Sequence, residues 1–172
     1  MNPEAHSFRR KDIRIPEFDY SQPGAFFVTI VTKDRKTLFG QVNNGKMVLN
    51  NVGKLAEEVW LALPTHFPNV ELGEWVIMPN HIHGILFFHR DTVGADCVCP
   101  KSTELGKMLA GYKSAVSSKL KMSGFTGNVW QRNYYEHIIH NEEDLNSIID
   151  YIVQNPLNWS KDTLHTAHEA EK

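Results

Sequence analysis

Residues Val76–Phe88 read "VIMPNHIHGILFF". Two histidines, His81 and His83, stand one residue apart inside a run that is otherwise apolar apart from Pro79-Asn80 and Gly84. Pro followed by Asn marks a turn. The stretch therefore divides into the end of one strand, "VELGEWVIMP", and the start of another, "HIHGILFFH", running antiparallel to it. Side chains two apart on a strand face the same side. His81 and His83 point together, and Ile82 points away. With helices covering one face of the sheet, Ile82 belongs against them and the two imidazoles belong on the open face.

The neighbouring segments supply the rest of that sheet. "AFFVTIVTK" (Ala25–Lys33) is β-branched and aromatic, and reads as a buried strand. In Leu38–Leu49, Asn44-Gly45 is a turn signal between two short strands. Val52, Leu55, Val59 and Leu63 then recur at helical spacing up to Pro64. A loop is expected over 90–102. From Thr103 to Lys121 the apolar stripe Leu105, Met108, Leu109, Tyr112, Val116 and Leu120 predicts an amphipathic helix. "VWQRNYYEHIIH" (Val129–His140) reads as a strand. A last helix starts after Asn141, a good N-cap, with Glu142, Glu143 and Asp144 suiting its first turn, and ends near Pro156.

Without the hairpin and the last helix, the order is β-α-β-β-α-β. The expected class is α+β: a ferredoxin-like split βαβ, an antiparallel sheet with helices on one face, plus a β-hairpin and a C-terminal catalytic helix. Residues 1–24, with Pro3, Pro16 and Pro23, form an irregular lead-in; 25–159 make the domain; 160–172 are a polar tail.

Composition narrows the function. A chain of 172 residues, 41% hydrophobic, favours one domain with a real core. No apolar run approaches the roughly 18 residues that span a bilayer, and the N-terminus has no apolar signal-like stretch. Cys97 and Cys99, the only two cysteines, suit neither a disulfide framework nor a complete zinc site. A cytoplasmic protein with no membrane partner is expected. The net charge of −2 is not that of a general nucleic-acid binder, so a DNA partner requires basic residues gathered on one surface.

Neutral imidazole is the commonest side-chain metal ligand, and two side by side form half a site. His89, His137, His140, His165 and His168 have no such company and read as ordinary surface histidines. On the last helix, Leu145, Ile148, Ile149 and Ile152 form a core stripe, with Tyr151 and Asn155 four apart at its edge. Singly, Tyr151 is a core-edge tyrosine and Asn155 a helix cap. Taken with the histidines, the carboxamide oxygen would complete a site for Mg²⁺ or Mn²⁺. A phenol beside such a cation is a nucleophile suited to a phosphodiester.

"MPNHIHGIL" together with "VWQRNYYEHIIHNEEDLNSIIDYIVQNPLNW" resembles the single-tyrosine HUH transposases, most nearly their REP-associated tyrosine transposase branch, over about Ala25–Trp159. The resemblance implies a ferredoxin-like fold and cleavage of single-stranded DNA near hairpins. It also implies a 5′-phosphotyrosine intermediate and strand transfer by a 3′-hydroxyl, the chemistry of DNA transposition. By position Tyr151 is the nucleophile, His81 and His83 are metal ligands, and Asn155 is the third ligand, with Gln154 the rival amide. Tyr134 and Tyr135 rank below Tyr151, because they lie on a strand and lack the amide four residues on. Lys107, Lys113 and Lys121 on the Thr103–Lys121 helix, with Trp130 and Arg132, form the expected single-stranded or hairpin DNA surface. A homodimer with exchanged tyrosines and a monomer acting in cis are both known arrangements in the family. Two other functions remain open from sequence: a domesticated hairpin-DNA-binding protein without transposition, and an unrelated metal hydrolase built on H-x-H.

Overall fold

The computed structural model describes residues 24–89 and 102–165. The irregular lead-in before residue 24, the Cys97/Cys99 loop and His168 lie outside the described residues. The elements are β1 (Ala25–Val31), β2 (Gly40–Asn43), β3 (Lys46–Leu49), α1 (Asn51–Leu61), α2 (Leu63–His66), β4 (Val70–Ile77), β5 (His81–Phe88), α3 (Ser102–Met122), β6 (Tyr135–Ile138) and α4 (Glu142–Gln154). The fold is mixed α+β, with a four-stranded sheet in the order β4-β5-β1-β6 and a separate β2–β3 hairpin. All three pairings in the four-stranded sheet are antiparallel.

Local chemistry explains the boundaries. Asn44 and Gly45 both have positive φ (50° and 71°), the backbone that a two-residue hairpin turn demands. The Asn50 side chain accepts from Gly53 N at 2.9 Å to cap α1. Asn141 does the same for α4, accepting from Asp144 N at 2.8 Å. Pro64 does not simply end the first helix. It sits in the first turn of α2, where its missing N–H costs nothing. The strand expected over Val129–His140 shrinks to Tyr135–Ile138, preceded by a single bridge between Thr32 and Trp130.

The period-two alternation of β1 and β5 sorts two cores. Phe26, Val28, Ile30, Ile82 and Leu86 join Trp60 of α1 and Tyr112 and Val116 of α3. Ala25, Phe27, Ile85 and Phe87 on the other face meet Leu145, Ile149 and Ile152 of α4. Ile82 therefore packs against the helices, as the alternation requires. The opposite face is not open, however, because α4 covers it. His81 and His83 are buried there, at 0% and 2% exposure, rather than displayed on a solvated sheet.

Gly84 completes this arrangement. A Cβ at Gly84 would run into the six-membered ring of Trp60. The glycine after the two histidines lets α1 approach the sheet closely on the face behind them.

Candidate active site

β5 carries His81 and His83 onto the face beneath α4, beside β1. Thr29 is the direct cross-strand partner of His83. Its Oγ1 lies 2.8 Å from His83 Nδ1. His81 Nδ1 lies 2.8 Å from Asn80 Oδ1, an acceptor, so His81 carries its proton on Nδ1. That leaves the Nε2 lone pair of His81 facing inward. The two rings are 4.4 Å apart at 65°.

α4 brings Tyr151 and Asn155 to the same place. The Tyr151 hydroxyl is 3.2 Å from His83 Nε2. Asn155 is 3% exposed, whereas its neighbour Gln154 is exposed, so Asn155 is the amide turned towards the histidines. Tyr135 stands on this face of β6, opposite Thr29, but packs edge-on to Phe27 at 6.4 Å. Tyr134 packs with the opposite core.

One acidic residue joins the cluster that sequence reasoning missed. Asp162 follows a 3-10 turn at Trp159–Lys161, within the segment expected to be a polar tail. Its side chain is 5% exposed, and Oδ2 lies 3.7 Å from His81 Nε2. The other oxygen, Oδ1, accepts from Leu164 N at 2.7 Å and fixes the carboxylate. One ligand atom each from His81, His83 and Asp162 lies within 4.8 Å of the others. Nothing in "SKDTL" signals this, since Asp162 is a single acid in a polar stretch far along the chain from the histidines.

The electrostatics suit a cation. Four buried side-chain N or O atoms lack a hydrogen-bond partner among the described residues. Three of them, His81 Nε2, Asn155 Oδ1 and Asp162 Oδ2, are the inward-facing acceptors of this site. Acceptors cannot satisfy one another, and leaving them buried without partners is costly. A bound cation would satisfy all three. Burial pushes the His81 pKa down to about 4, against the opposing pull of Asp162 and Asn155. Burial, with His81 nearby, also holds His83 well below its usual value. Both imidazoles are therefore neutral, as ligation requires. Burial and the Asp162 charge raise the Tyr151 phenol, which a hydrogen bond from Asn155 partly offsets.

No family model matches the chain. A Haemophilus influenzae protein described only as uncharacterized is 36% identical over 168 residues, covering 91% of this chain and 93% of its own length. The REP-associated tyrosine transposase of Escherichia coli K12 is 30% identical over 93 residues, covering 53% of this chain and 48% of that protein. A solved structure of a REP-associated tyrosine transposase bound to a REP hairpin shares the fold. Its TM-score is 0.53 at 18% identity, covering 90% of this chain and 92% of that one. This chain is a distant relative of the REP-associated tyrosine transposases.

The lysines expected to contact DNA lie on α3, across the sheet from the histidines. α3 packs on the opposite face of the sheet. Lys107 and Lys121 are exposed on it. Lys113 donates to the carbonyls of Gln131 and Asn133 at 2.7 and 2.9 Å, holding the segment before β6. Trp130 packs near Phe39 and Tyr112 at 5.6 and 5.8 Å, and its indole N–H donates to Lys113 O at 2.9 Å. Arg132 is exposed beside it. Away from the site, His89 pairs with Glu71 and His137 with Asp144, each at 2.9 Å. No described helix is long and apolar enough to cross a membrane.

Proposed function

We propose that this chain is a metal-dependent single-stranded DNA endonuclease and strand transferase that acts beside hairpins, with Tyr151 as its nucleophile. One observation carries the proposal: the Tyr151 hydroxyl reaches a buried His/His/Asp/Asn cluster in which three inward acceptors lack a hydrogen-bond partner. His81, His83, Asp162 and Asn155 would hold Mg²⁺ or Mn²⁺. When bound, the cation neutralises charge developing on the phosphoryl oxygens.

The chain's own groups account for the remaining chemistry. The Tyr151 phenol gives up its proton as its oxygen bonds to phosphorus, the bond to the 3′-oxygen breaks, and that oxygen takes up a proton and departs as a 3′-hydroxyl. A 3′-hydroxyl attacking the phosphotyrosine reverses these bonds and releases the phenol. A cavity of about 390 Å³ lined by Tyr151, Asn155, Asn158, Lys161 and Asp162 opens beside the phenol and offers room for a nucleotide. Its wall carries one lysine, Lys161, and two acids, Asp150 and Asp162.

The antiparallel order β4-β5-β1-β6, with α1 and α3 on one face, supports a ferredoxin-like split βαβ with α4 added to the other face. Tyr151 meets His83 of its own chain, so one chain carries a complete candidate site. Exposed Lys107, Lys121 and Arg132 would then take the hairpin duplex, away from the scissile strand.

The test is a denaturing gel of protein with Mg²⁺ or Mn²⁺ and labelled oligonucleotides carrying a hairpin and single-stranded flanks. A covalent band is expected, lost in Tyr151→Phe, in His81→Ala and with a chelator. Hairpin binding without any band would point to the domesticated binder. Adducts surviving Tyr151→Phe would move the nucleophile to another residue.

A further inference from the structure

The segment after α4 docks on the site through a small set of polar bonds, and one oxygen of its buried carboxylate has no hydrogen-bond partner. Asn80 Nδ2 donates to Leu164 O at 2.8 Å, and Arg35 donates to Thr163 O at 3.1 Å. The Trp159 ring lies 5.9 Å from that of His81, and His165 packs on Trp159 at 4.7 Å. Ser160, Lys161 and Thr163 are exposed, and no residue of the 3-10 turn Trp159–Lys161 is buried. Little apolar burial therefore secures residues 159–165.

Asp162 Oδ2 is opposed across 3.7 Å by His81 Nε2, the ring nitrogen that the bond from Nδ1 to Asn80 Oδ1 leaves as an acceptor. Two acceptors face each other, one of them charged and out of water, and this opposes docking of the segment. A cation between them reverses the sign of that interaction. Asn80, fully buried, joins both halves through one carboxamide. Its oxygen fixes the His81 tautomer that aims a lone pair inward, and its nitrogen holds the Leu164 carbonyl.

We infer that docking of residues 159–165 and loading of a divalent cation are thermodynamically linked, with Asp162 as the linking ligand and Asn80 as the positioning residue. The inference rests on the metal site proposed above. Linkage is reciprocal: a cation that binds the docked segment better favours docking, and docking raises affinity by the same factor. Segment 159–165 is thus a strap that closes on metal, and its position reports whether the site is loaded.

The experiment uses the full chain and Mn²⁺ alone. Mn²⁺ affinity is measured by titration, and amide hydrogen exchange of 159–165 is followed with and without the ion. In the wild type, Mn²⁺ is expected to slow exchange across the segment. Asp162→Asn removes the opposing charge, so its segment should exchange more slowly than wild type without metal and show no further response to Mn²⁺. Its Mn²⁺ affinity should fall at least about tenfold. Asn80→Ala should weaken binding and lose the Mn²⁺-dependent protection together. If Mn²⁺ binds, His81→Ala abolishes binding, and exchange of 159–165 is the same with and without the ion, the linkage is wrong while the metal site stands. If the wild type binds no Mn²⁺, the metal site itself is wrong and the linkage falls with it.

Discussion

The Tyr151 hydroxyl lies 3.2 Å from His83 Nε2, joining α4 to β5 across 68 residues of sequence. The same lone pair can accept from the phenol or bind a cation, but not both at once. Around this contact the phenol feels two opposing neighbours. Asp162 raises its pKa and Asn155 lowers it.

Asp162→Asn should therefore lower the Tyr151 pKa, and Asn155→Ala should raise it. Phenol titration by NMR, assigned by the signal missing in Tyr151→Phe, measures both. Shifts of the same sign in the two variants would contradict the arrangement.

Thr29 holds His83 from behind, through Oγ1 at 2.8 Å from Nδ1. Thr29→Val keeps the shape and removes this bond. Mn²⁺ affinity is expected to fall about 10- to 100-fold, the usual cost of losing a partner that orients a ligand. The circular dichroism spectrum should not change. Unaltered affinity would mean that packing alone orients the ring.

The metal-free protein should lose stability in mild acid. His81 titrates at about 6.5 when unfolded but is held down to about 4 when folded, chiefly by burial. Between those values the unfolded chain binds more protons. The contribution from keeping His81 neutral is complete above about pH 6.5 and is lost as pH falls towards 4. His83 is shifted the same way. Thermal melts across this range should show a steeper fall for wild type than for His81→Gln. Equal slopes would remove His81 as the cause.

Gly84→Ala should destabilise by about 1–3 kcal/mol, because its methyl meets the Trp60 ring in a packed core. Urea unfolding measures this, and pairing the change with Trp60→Phe should recover part of the loss. A neutral Gly84→Ala would show that α1 can shift at no cost.

Lys107→Ala with Lys121→Ala should weaken hairpin-DNA binding and reduce its salt dependence, by about one unit of slope for each phosphate no longer neutralised. Lys113→Ala should act differently. Its ammonium holds two carbonyls of the segment before β6, so its removal should raise hydrogen exchange across 131–133. An unchanged salt slope in the double variant would place the DNA surface elsewhere.

Local periodicity alone determined much of this protein. Alternation along a strand put His81 and His83 on one side and Ile82 on the other. Helical spacing put Tyr151 beside Asn155, and the Asn141 cap set where that helix begins. These relations lie within single elements, where backbone geometry fixes direction. What covers a face is a relation between elements, and only the tertiary structure decided it. Packing placed α4 over the histidines instead of leaving them open. It turned Trp130 into the opposite core and engaged Lys113 with backbone carbonyls, although composition alone marks both as candidates for DNA. It also carried Asp162 from a polar stretch to 3.7 Å from His81, because burial and long-range approach are set by how the whole chain packs, which no short spacing encodes.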